Sequence, residues 1–245
     1  RATRFIWVFG LKSLHADAFI SAFKQFRAEA GGLAVQFRTD CDAKLLSHAV
    51  VDWLRSNGSD IASAPAGRQS SNGLVERHWR TLVEMARSYL TEKQMPRAYW
   101  LSAIQHSARM MNCIPGKFND ELTTPFELIH HSPPNSCLWF PLFSVGYFHH
   151  TCNGSVEHSS FQAQTMMEGI AIGRSESSNA MVFFNPRTRQ YYEPDTYKLD
   201  PSRLPSSVWP QEIRYDGGIF ADLYRDDNPN VPEHLPPGTR VTLHH

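Results

Sequence analysis

The chain has 245 residues, of which 41% are apolar and 20% charged; this excludes a disordered tail or a collagen-like fibre and leaves enough chain for one or two packed domains. The 24 lysines and arginines balance 24 aspartates and glutamates, so the formal charge is zero, which taken whole argues against a nucleic-acid binder. No apolar run reaches the length of a membrane span, the first residues lack a signal-peptide layout, and Cys41, Cys113, Cys137 and Cys152 show no CxxC spacing that would indicate a zinc finger or a disulfide framework.

Residues 5–9 form an apolar run of strand length. No element is readable before it, so the chain is expected to be a fragment. Residues 14–30 read as a helix, because Ala18, Phe19, Ala22, Phe23, Phe26 and Ala30 recur every three or four positions and Gly31-Gly32 then stops the run. A second strand covers residues 33–38 and ends at Thr39-Asp40. Residues 45–55 carry Leu46, Val50, Val51 and Leu54 on one helical stripe, closed by Asn57-Gly58, and residues 61–64 form a short strand. Residues 65–73 (PAGRQSSNG) are all turn chemistry and are expected to form a mobile loop. The strongest helix follows over 74–90, with Val75, Trp79, Leu82, Val83, Ala86 and Leu90 on one face and Glu76, Arg77, Arg80, Glu84 and Arg87 on another. A further amphipathic helix runs from Pro96 to Pro115-Gly116, and a short one covers 126–130.

Composition changes at Ser132-Pro133-Pro134. Short β-like runs follow at 144–149, 168–173, 180–185 and 190–193, with Pro186 to Arg189 as a hairpin turn. From Asp200 onward prolines, acids and turn residues dominate, and this stretch is expected to be a poorly packed tail. The alternation of strand and helix over residues 1–132 predicts a layered α/β domain. Residues 133–200 predict a small all-β segment, and residues 201–245 a Pro/acid-rich tail.

The charge is unevenly spread. Between Arg68 and Arg109 there are seven basic and three acidic residues, and between Gln190 and Glu233 four basic and nine acidic. A locally basic middle can meet phosphates, and it can equally be two solvated helix faces. Two carboxylates stand out by position. Asp40 follows an apolar strand, and Glu76 lies in the first turn of the strongest helix, with 35 residues between them. Carboxylates so placed can converge on Mg²⁺, which takes a few carboxylate oxygens and completes its octahedron with water and phosphate oxygens. Each also has an ordinary reading: an Asp after a strand as a turn residue, and a Glu paired with Arg80 at i,i+4 near a helix N-terminus. The histidine pairs His130-His131 and His149-His150 lack metal-ligand spacing, and Trp79 and Trp100 read as core.

The run SSNGLVERHWRTLVEMARSYL resembles the glutamate-bearing helix of retroviral-type integrases, in particular those of copia-type LTR retrotransposon polyproteins. The phrase Asn-Gly, two residues, Glu-Arg stands here as Asn72 to Arg77. VQFRTDCD resembles the strand before the family's second catalytic aspartate, which falls on Asp40, and the 35-residue separation is also that of the family. PRAYWLSAIQHSARMMNCIP and TTPFELIHHSPP resemble the segments that follow, and MMEGIAIGRSESSNAMVFFNPRTRQYYEP resembles the SH3-like module behind the core. The resemblance covers about residues 4–199. It implies a ribonuclease H-like mixed sheet with flanking helices, incomplete at its N-terminus, followed by a small SH3-like β segment.

It further implies DNA integration by two-metal phosphoryl transfer, both 3′-end processing and strand transfer. Asp40 and Glu76 would be ligands of Mg²⁺ or Mn²⁺. Arg68, Gln69, Ser70, Asn72, Arg77 and Arg80 would contact nucleic acid, with element ends and target DNA as partners, a homo-oligomer as the working form and the nucleus as its place. Departures from the family pattern accompany it. The aspartate-bearing strand expected before Asp40 is not within the chain; Asp17 reads as a helix-start residue, not a substitute. Asp40-Cys41-Asp42 stands in place of Asp-Asn-Gly, removing the glycine that eases a positive-φ turn. These departures support an alternative reading, a catalytically incomplete remnant of the same fold that only binds nucleic acid.

Overall fold

A computed structural model of the chain describes residues 3–39, 45–63, 73–118, 120–135, 139–149, 166–175, 178, 180–208 and 240–244. The chain divides into two compact units. The first comprises Arg1–Glu84, Ser107–Trp139 and Pro232–His245, and the second Met85–His106 and Phe140–Val231.

In the first unit the alternation expected from sequence is present. Strand β1 (Trp7–Leu11) leads to helix α1 (Ala16–Ala30), strand β2 (Gln36–Thr39), helix α2 (His48–Ser56) and strand β3 (Asp60–Ser63). Helix α1 ends where its glycines require, with Gly31 in the left-handed region at φ 72°. Strands β2 and β3 pair in parallel from Gln36↔Asp60 to Thr39↔Ser63, which needs a crossover, and α2 supplies it. The apolar stripe of α1 buries Phe19, Ala22, Phe23 and Phe26 against Phe9, Leu11, Phe37, Val50 and Leu54. The rings meet edge to face: Phe23 and Phe37 lie 5.0 Å apart and Phe26 and Phe37 5.7 Å, while Trp7 and Phe26 lie 4.9 Å apart. Such pairs add about 0.5–1.5 kcal/mol each beyond area burial. The mixture of helices and sheets is α/β.

Helix α3 (Gly73–Glu92) and helix α4 (Trp100–Cys113) come next, with a 3-10 turn at Arg97–Tyr99 before α4. The Pro115-Gly116 stop is followed by a hairpin that the sequence did not reveal, β4 (Gly116–Phe118) and β5 (Glu121–Thr123), too short for a hydrophobic period to register. Helix α5 (Pro125–His130) opens with a full capping box: the Thr124 hydroxyl accepts from the Glu127 N–H, and the Glu127 carboxylate accepts from the Thr124 N–H. Asn112, buried near the end of α4, pairs with the backbone of Ile6: its Oδ1 accepts from the Ile6 N–H at 2.9 Å, and its Nδ2 donates to the Ile6 carbonyl at 2.8 Å.

The second unit holds a five-stranded antiparallel sheet: β6 (Val145–His149), β7 (Met166–Arg174), β8 (Met181–Asn185), β9 (Gln190–Tyr192) and β10 (Tyr197–Asp200). The order is β10-β6-β7-β8-β9, a meander whose last strand returns beside its first. On one face Phe148 packs on Phe183 and Tyr192 at 4.9 and 5.4 Å. Gly146 is required there, because a Cβ would collide with the Phe183 ring. Phe184 takes Tyr99 of the 3-10 turn at 5.8 Å, and Tyr99 also meets Phe143 at 6.2 Å. The turn between β8 and β9 falls at Pro186 to Arg189 as expected, held by Asn185 Oδ1, which accepts from the Arg187 and Thr188 N–H groups.

The C-terminal stretch departs from the tail expected of it. Beyond β10, Arg203 donates from Nη1 to Glu168 at 2.9 Å and to the Tyr147 hydroxyl, and from Nη2 to Ser207, and Pro205 and Val208 are buried. Strand β11 (Arg240–His244) pairs with β1. Composition predicted no packing here because a handful of ordered contacts is invisible in a proline- and acid-rich average.

Replacing Asn112 with Leu leaves the Ile6 N–H and carbonyl buried without partners, at about 1–3 kcal/mol for each group; an unfolding free energy, from urea titration, lowered by about 2–6 kcal/mol is expected. The hydrogen bonds from the Thr124 backbone and then from the Thr124 and Thr123 hydroxyls hold Glu127 below its ordinary pKa. A lowered folded pKa contributes stability that is present above the unfolded value of about 4.3 and lost as pH falls through the folded value. Glu127→Gln is therefore expected to destabilise the chain at pH 7, with the difference from wild type narrowing as denaturation is repeated below about pH 4.3.

Candidate metal and nucleic-acid site

Parallel pairing decides where the candidate residues can meet. Thr39 and Ser63 are the last partners of β2 and β3, so both strands deliver the chain to the same end of the sheet. Asp40 directly follows β2, and residues 64–72 follow β3 and lead into α3. The carboxyl ends of parallel strands are the usual place for a ligand site in open α/β sheets. Asp40 itself, with Arg68, Gln69, Ser70 and Asn72, lies outside the described residues, as do Asp42 and residues 65–72 of the loop read as mobile, whose last residue, Gly73, opens α3.

Glu76, Arg77 and Arg80 are described, and all three are exposed on α3. Glu76 stands in the first turn, where the helix dipole favours a carboxylate. The i,i+4 pair with Arg80 is not formed among the described residues. The Glu76 carboxylate thus remains open to solvent and to a hard cation. Leu82 and Ala86 are buried on the opposite stripe, while Trp79 is half-buried. The arginines of α3, Arg77, Arg80 and Arg87, are matched by Glu76, Glu84 and Glu92. The helix is therefore neutral as a whole, and any attraction for phosphate rests on where its charges stand.

Other candidates resolve into packing. Asp17 is a first-turn residue of α1, as its sequence position indicated. His130 lies tilted against Phe126 at 4.3 Å and edge-on to Phe5 at 5.7 Å, and burial, with the neighbouring His131, lowers its pKa. Burial likewise raises the thiol pKa of Cys113, a free buried cysteine, which makes it inert as a nucleophile. Among the described residues no group of three or more His, Cys, Asp or Glu side chains is placed to hold a metal ion. No helix among them is long and apolar enough to cross a membrane.

No protein-family model matches the chain. It is similar to the retrovirus-related Pol polyprotein from transposon TNT 1-94 of Nicotiana tabacum, at 30% identity over 118 residues covering 46% of this chain and 9% of that protein. It is similar also to the Pol polyprotein from transposon RE2 of Arabidopsis thaliana, at 29% identity over 246 residues covering 95% of this chain and 15% of that protein. Among solved structures, the HTLV-2 integrase catalytic core domain in complex with magnesium, in trimeric form, aligns at a TM-score of 0.38 and 21% identity, covering 48% of this chain and 72% of that one. The chain spans less than a sixth of the two polyproteins, and what it is similar to is a segment of each of these retrovirus-related Pol polyproteins of transposons.

Proposed function

We propose that the chain is part of a copia-type retrotransposon integrase core and acts on DNA, with Asp40 and Glu76 as ligands of Mg²⁺ or Mn²⁺. The observation that carries the reading is Glu76: an exposed carboxylate without an ion pair in the first turn of α3, on the helix that follows the strand paired in parallel with the one Asp40 leaves. The donor set fits, since two hard oxygen ligands suit Mg²⁺, which keeps positions for water and phosphate oxygens. When bound, a pair of such ions activates an attacking oxygen and stabilises the leaving one in an in-line phosphoryl displacement. The chain's own contribution is positional: Glu76 holds its carboxylate at the start of a packed helix, and Arg77 and Arg80 stand beside it for the phosphates of bound DNA.

Arg68, Gln69, Ser70 and Asn72 supply further polar contacts in this reading, at the loop that precedes α3. The sheet of residues 145–200 is read as the SH3-like module, supported by a meander whose fifth strand returns beside the first. The working form is a homo-oligomer in the nucleus.

Metal binding and DNA binding separate this reading from the remnant that only binds nucleic acid. Titrated with Mn²⁺ alone in a calorimeter, the chain is expected to bind, and Asp40→Asn and Glu76→Gln each to weaken binding at least about tenfold, the loss of one ligand from a small set. Retained affinity in Glu76→Gln removes that residue from the site; DNA binding with no Mn²⁺ binding in the wild type favours the remnant. With labelled duplex DNA, Arg80→Ala is expected to weaken binding across sequences and to flatten the plot of log affinity against log salt by about one unit. An unchanged slope makes Arg80 a solvated surface arginine.

A further inference from the structure

We draw no further inference here: the strongest candidate, the surface patch at the β8–β9 turn of the second unit, where the exposed Arg187 and Arg189 lead into the exposed ring of Tyr191, carries nothing, because nothing in the structure shows what covers it.

Discussion

The position of Phe37 governs much of the first unit. Strand β2 is four residues long and buries one of them: Gln36 and Arg38 face solvent, while Phe37 is 2% exposed between the rings of Phe23 and Phe26. Burying such a side chain is worth about 1.5–3 kcal/mol. A shift of one residue would turn it to solvent and bring Arg38 inward. The single ring therefore sets the register of β2, the register sets the pairing with β3, and the pairing sets the end of the sheet from which Asp40 and the segment before α3 depart. The candidate chemistry depends on a core contact that includes no catalytic residue.

The second unit uses a different device. Its sheet is tightened by small residues facing large ones, Gly146 and Gly169 against Phe183 and Phe148, so two strands approach where side chains would otherwise hold them apart. Its end is fastened by Arg203, whose guanidinium binds Glu168 and the Tyr147 hydroxyl and lies over the Tyr147 ring. The hydrogen bond to Glu168 raises the arginine's pKa further, so this clasp stays charged throughout the physiological range.

Electrostatics constrain the proposed site more than composition suggested. The basic excess between Arg68 and Arg109 is real, yet α3 carries as many acids as bases and is neutral as a whole. A phosphate approaching it meets Glu76 as well as Arg77 and Arg80. Binding of a polyanion beside an open carboxylate is favourable when a divalent cation lies between them, since the ion reverses the local sign. Metal and nucleic acid would on this account bind together better than separately.

The sequence alone determined the helices and the longer strands, because they carry strong local signals. The three- and four-residue spacing of Phe19, Phe23 and Phe26, Gly31 at the end of α1, and the turn from Pro186 to Arg189 are all read within a few residues of chain. It also singled out Glu76 by its place at the head of an amphipathic helix. Tertiary structure alone decided the rest. Tyr99, inside the run read as a helix from Pro96, packs on Phe184 of the β-sheet. Asn112 serves the backbone of Ile6. Residues 240–244, lost in the composition of a tail, form a strand against β1. These contacts join residues from 85 to more than 200 positions apart, and a hydrogen bond or ring contact across that separation leaves no period in the sequence from which to infer it.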